Sequence, residues 1–144
     1  MERINLKETD PAAYHAMQAL ERYIAQSGLD KSLYELIKTR ASQINGCAYC
    51  INMHTRDAMK LGETPQRLFL LDAWRETDLY TEKERAVLAL TESMTLITKG
   101  HVTDEVYKEA ANHLTNQELA AAIMAVVTIN AWNRIAITTR KSLD

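Results

Sequence analysis

Residues 46 to 54 read GCAYCINMH. The chain holds two cysteines, Cys47 and Cys50, spaced three apart, with His54 four residues beyond the second. Three kinds of chemistry fit that spacing. The thiols can form a redox pair, in which one attacks and the other resolves its oxidised form. With the imidazole they can supply three of the four tetrahedral ligands of a zinc site. They can also be two small core residues beside a buried, hydrogen-bonded histidine.

Position sharpens the choice without closing it. At about 100° per residue, Cys47, Cys50, Ile51, His54, Ala58 and Leu61 share one side of a helix, and Tyr49, Met53, Arg56 and Lys60 share the other. Gly46 ends the preceding helix, so both thiols fall in the first turn of the next one. Unpaired N–H groups and the positive end of the helix dipole favour an anion there, and helix starts and Cys-x-x-Cys settings both favour the reactive thiolate. A zinc site would need a carboxylate to complete it. His15, His101 and His113 are scattered, and there is no second cysteine pair.

The elements that must position these groups read as helices throughout. Only four glycines and two prolines punctuate the chain, nearly all where helices start or stop. Asp10 and Pro11 open a helix carrying Tyr14, Met17, Leu20 and Ile24 as far as Gly28. A second follows Asp30 with Leu33, Ile37, Ala41 and Ile44, and Gly46 closes it. The cysteine-bearing helix runs to about Leu61, with Gly62 as its stop. Thr64 and Pro65 start a short helix holding Leu68, Leu71 and Trp74. The polar stretch Arg75 to Tyr80 is expected to be a loop. Thr81 with Glu84 has capping-box spacing before a helix through Ile97, Thr103 starts another through His113, and Thr115 with Glu118 opens the longest, reaching about Thr138. This last helix is apolar almost all round from Leu119 to Ile129, so it is expected to be the central, most buried element. Asn130, Asn133 and Arg134 interrupt it and are expected to be hydrogen-bonded at a helix end or subunit contact. The expected fold is therefore all-α, a single domain over residues 1–144 built as a bundle of six to seven helices.

Composition bounds the function. With 47% apolar and 25% charged residues the 144-residue chain matches an ordinary globular domain. A formal net charge of −2 leaves no basic surplus for a phosphate backbone, which argues against nucleic acid as a partner. The charged N-terminus, MERINLKETDPAAYHAM, does not look like a signal peptide, and the strongly apolar run at 119–129 is shorter than the ~20 residues that span a bilayer. A cytoplasmic protein without membrane contact is expected. A persistent structural disulfide is disfavoured in that compartment, which tilts the cysteine pair toward redox chemistry or metal binding.

The stretch ELIKTRASQINGCAYCINMHTRDAMKLG, residues 35–62, resembles the core of the alkylhydroperoxidase D family within the carboxymuconolactone decarboxylase superfamily. The family pattern is a glutamate, eleven residues, then Cys-x-x-Cys-x-x-x-His, matched here by Glu35, Cys47, Cys50 and His54. The stretch INAWNRIAITTR, residues 129–140, is similar to the last helix of the short members. The resemblance implies an all-α fold, a trimer or hexamer, no cofactor and no resident metal. It also implies roles: Cys50 attacks a hydroperoxide, Cys47 resolves it, Glu35 and His54 relay protons, and a dithiol donor such as a lipoyl group or thioredoxin-like protein resets the pair. The decarboxylase branch lacks the cysteine pair, so its presence here argues against action on a lactone. Two features depart from expectation. Glu35 falls opposite the Leu33, Ile37 and Ile44 stripe, beside Lys38 and Ser42, and by itself reads as solvated. Its role requires the cysteine-bearing helix or a neighbouring subunit to cover that face. Tyr49 stands where alkylhydroperoxidase D itself has a histidine, and a phenol, losing its proton only near pH ~10, is no base near neutrality.

Overall fold

The computed structural model of the protein describes residues 1–143. Its elements are α1 (Leu6–Thr9), α2 (Pro11–Gln26), α3 (Lys31–Asn45), α4 (Ala48–Lys60), α5 (Pro65–Phe69), a 3₁₀ helix (Leu71–Glu76), α6 (Glu82–Thr95), α7 (Asp104–His113) and α8 (Asn116–Thr139). The fold is all-α, as expected, and no strand occurs among the described residues.

The starts follow the capping chemistry. Asp10 accepts from the Ala13 N–H at 3.2 Å and Asp30 from the Leu33 N–H at 2.9 Å. Thr81 with Glu84 and Thr115 with Glu118 form complete capping boxes. Two short elements go beyond the expected helices. The single turn α1 forms because the Asn5 side chain accepts from the Lys7 and Glu8 N–H groups. The 3₁₀ helix takes in Arg75 and Glu76, the start of the stretch expected to be a loop. It also breaks the expected fourth helix, which ends at Phe69. Leu71 and Trp74, on either side of a kink at Ala73, both turn inward, onto Leu36 of α3 and Leu88 of α6. Burying each of these leucines contributes roughly 1.5–3 kcal/mol.

The most continuously buried element is α3, not α8. Every residue from Leu33 to Thr39 is buried, because α4, α6 and α8 pack around three sides of it. Apolar character is no measure of this centrality. In α8, Ala121, Ala122, Ala125, Val126 and Ile129 face the core while Val127 and Ile137 are exposed. All 24 residues of α8 are long and apolar enough to cross a membrane, a property the 119–129 run lacks on its own. In the fold α8 packs instead on α2, α3, α4, α6 and α7.

Asn133 is fully buried, and its side chain donates to Ser42 Oγ at 3.0 Å and accepts from Asn45 Nδ2 at 2.9 Å. Asn130 accepts from the same Asn45 amide at 3.0 Å and donates to Thr95 Oγ1 at 3.1 Å. The polar break in α8 is thus a hydrogen-bonded clasp on the C-terminal end of α3, the end that leads into the cysteines.

Candidate active site

The thiol turn is built by a reversal of chain direction at Gly46. This residue sits in the left-handed region at φ 68°, and its N–H bonds back to Ser42 and Gln43 carbonyls. The Cys47 N–H follows onto the Ser42 carbonyl at 3.0 Å. Cys47 is then the N-cap of α4, its sulfur accepting from the Cys50 N–H at 3.3 Å. The two cysteines are joined in a disulfide across a Cα–Cα distance of 5.3 Å, at the positive end of α4. With both sulfurs engaged, the pair offers no thiolate to a metal in this state.

One turn further along α4, His54 is buried and its Nδ1 lies 3.2 Å from Glu35 Oε2. The crossing of α4 over α3 covers the face on which Glu35 reads as solvated, and the residue is only 8% exposed. Lys38 and Ser42, which share that face, are buried as well. A carboxylate can only accept, so it makes Nδ1 the protonated nitrogen and leaves Nε2 as the acceptor. Nε2 has no hydrogen bond among the described residues and is not sealed off, since Thr39 Oγ1 is the sole buried side-chain N or O atom there without a partner.

Cys50 and His54 both line a cavity of about 290 Å³ between α2, α4, α8 and the N-terminal segment. Tyr14, Met53 and Trp132 give it apolar walls, and Tyr49 lines it close to the disulfide. The ring of Tyr14 meets Trp132 edge-on at 5.6 Å. Glu21 fixes this wall, accepting from Trp132 Nε1 at 3.0 Å and from the Tyr34 hydroxyl at 2.6 Å. Burial, and then Glu21, push the Tyr34 hydroxyl far above its ordinary range, so it remains a donor.

The four residues singled out from sequence thus meet in two directly bonded pairs, Cys47 with Cys50 and Glu35 with His54. Sequence reasoning missed Glu21, Tyr34 and Trp132. They come from helices far apart in the chain and carry no spacing signal. Lys38 has such a signal, three residues after Glu35, and its ammonium lies 2.7 Å from Glu35 Oε1. Glu35, His54 and Asp57 bring potential metal-ligand atoms within 4.8 Å of one another. The Lys38 cation on the same carboxylate opposes a second cation there.

Comparison with known proteins agrees with this arrangement. The model of the carboxymuconolactone decarboxylase family matches residues 11–93. The chain is 43% identical over 136 residues to the uncharacterized protein YdfG of Bacillus subtilis (strain 168), covering 94% of this chain and 92% of that one. A 46-residue stretch is 37% identical to the alkyl hydroperoxide reductase AhpD of Corynebacterium aurimucosum, covering 32% of this chain and 26% of that one. The crystal structure of an Agrobacterium tumefaciens protein of unknown function, a candidate antioxidant defence protein AhpD, superposes with a TM-score of 0.96. It is 38% identical and covers 100% of this chain and 99% of that one. The family match takes in more than half of the sequence and includes the whole thiol turn; the chain belongs to the carboxymuconolactone decarboxylase family, as an alkylhydroperoxidase D-like member.

Proposed function

We propose that the protein is a thiol peroxidase that reduces hydroperoxides through Cys50 and Cys47. The observation that carries this reading is the Cys47–Cys50 disulfide at the start of α4, opening with His54 on one cavity. In the reduced state His54 Nε2, backed by Glu35, takes the Cys50 proton. The thiolate attacks the terminal oxygen of the hydroperoxide; an S–O bond forms, the O–O bond breaks, and the alkoxide leaves as the alcohol with the proton that His54 took from Cys50. The Cys47 thiol then displaces water from the Cys50 sulfenic acid, forming the disulfide. A dithiol donor of the lipoyl or thioredoxin-like kind returns two electrons and two protons. The reading includes a cytoplasmic, reducing setting and a homo-oligomer, trimer or hexamer, measurable by analytical ultracentrifugation.

The direct test is steady-state reduction of an organic hydroperoxide with a dithiol donor. Wild type is expected to turn over and Cys50→Ser to fall to background. A peroxide pulse on Cys47→Ser, followed by mass spectrometry, is expected to add one oxygen at Cys50. Equal rates for wild type and Cys50→Ser would remove Cys50 from the chemistry.

A further inference from the structure

Lys38 is buried to 9% side-chain exposure, beside a glutamate at 10% and a histidine at 7%. Lysine is rarely buried this deeply, because its ammonium is strongly hydrated and costly to strip of water. Two contacts hold it. Its Nζ lies 2.7 Å from Glu35 Oε1 and 3.9 Å from the centroid of the Tyr34 ring, a cation over an aromatic face. Tyr34 is itself fixed by its hydroxyl on Glu21. The ammonium therefore occupies a defined point rather than sweeping a surface.

The Glu35 carboxylate is thus held at both oxygens, Oε1 by Lys38 and Oε2 by His54 Nδ1. With only the histidine contact, the carboxylate could rotate about its last torsion and the imidazole could turn with it. Two fixed points set its plane, and that plane sets the ring. We propose that Lys38 is a positioning residue for the thiol chemistry: by clamping Oε1 it holds Oε2 on His54 Nδ1, which keeps Nε2 oriented to take the Cys50 proton. This rests on the thiol reading of the site, though not on the identity of the oxidant. Lys38 also borders a second cavity, of about 530 Å³, that His54 lines. Direct contact of the ammonium with an anionic ligand there would leave a different signature from clamping.

The test uses the reduced protein carrying Cys47→Ser, so that Cys50 is the single thiol, and reads its alkylation rate by iodoacetamide near neutral pH. Lys38→Met is expected to slow alkylation roughly tenfold, the lower end of the loss seen when metal-bound histidines lose an outer partner. Lys38→Arg, which keeps the charge and a donor, is expected to recover most of the rate. Because Lys38 acts through Glu35, adding Lys38→Met to Glu35→Gln is expected to slow the reaction no further than Glu35→Gln does. Alkylation by Lys38→Met at the parental rate would overturn the proposal, as would slowing that arginine does not recover or that adds to Glu35→Gln. A Glu35→Gln variant at the parental rate would overturn it too. If Lys38→Met does not fold by circular dichroism, Lys38→Gln takes its place in the same cycle. Hydroperoxide turnover by Lys38→Met in the two-cysteine chain is expected to lose kcat/KM for the hydroperoxide, with Lys38→Arg recovering most of it; an unchanged kcat/KM would overturn the clamp. A parent chain without hydroperoxide turnover, but with the alkylation cycle as expected, would remove the peroxidase reading and leave the clamp standing.

Discussion

Cys47 has a structural task beside the chemical one proposed for it, because its sulfur caps the helix whose first turn it shares with Cys50. The two tasks are separable by substitution. Serine is among the best N-cap residues and alanine among the poor ones, a difference of about 1 kcal/mol. Under reducing conditions Cys47→Ser is therefore expected to be about 1 kcal/mol more stable than Cys47→Ala in urea denaturation, while neither can form the disulfide. Equal stabilities would mean that a side-chain cap at position 47 contributes nothing to the helix start. At the same scale, Tyr49 lines the cavity beside the pair and lies under Lys141, whose Nζ is 6.0 Å from its ring centroid. A phenol there bounds the cavity and leaves His54 as the base nearest Cys50 along the helix.

The α3–α4 connection converts two helices into a site. Gly46 turns the chain at positive φ with nothing within 4 Å of where a Cβ would stand, so substitution there meets backbone strain and no clash. Gly46→Ala is expected to cost about 1–2 kcal/mol, the usual penalty for a Cβ in the left-handed region, with Gly46→Asn recovering part of it. Chemical denaturation measures both. A neutral Gly46→Ala would show that the turn can relax, and with it the orientation of the thiols. The asparagine clasp from α8 serves the same turn, fastening the end of α3 just before it leads into Cys47.

At the scale of the whole molecule, Glu92 of α6 ties three elements together. It accepts from Arg40 of α3 at 2.9 Å, from Trp74 Nε1 at 2.8 Å, and from Arg75. Burial alone would raise this carboxyl, but the donors from Arg75, Trp74 and Arg40 outweigh it and hold the group below its ordinary 4.5. A carboxyl depressed on folding adds stability that is present above its unfolded value and lost as pH falls through the folded one. Wild type is therefore expected to exceed Glu92→Gln in melting temperature at neutral pH, with the gap closing as pH drops below about 4.5. A gap independent of pH would mean that shape, not charge, makes this tie. The acid loss is that of an ion cluster joining α3, α6 and the 3₁₀ helix, and it is separate from the thiol site.

Helix starts and stops were legible in the sequence because caps, boxes and positive-φ glycines act within a few residues of themselves. The alignment of Cys47, Cys50 and His54 followed from a single period in the same way. Burial of Glu35 was not legible, because its own helix shows only the side it turns away from the Leu33 and Ile37 stripe. Which neighbour covers that side depends on how α4 folds back after Gly46. The same limit hid Lys38, which reads as solvated from spacing alone, and the wall of Tyr14, Glu21 and Trp132, whose members are up to 118 residues apart. Local hydrogen bonding and periodicity determined the helices and the thiol turn. Only the packing of α4, α6 and α8 around α3 decided which polar groups lose water and therefore must find one another, and that choice made a glutamate, a lysine and a histidine into one bonded group.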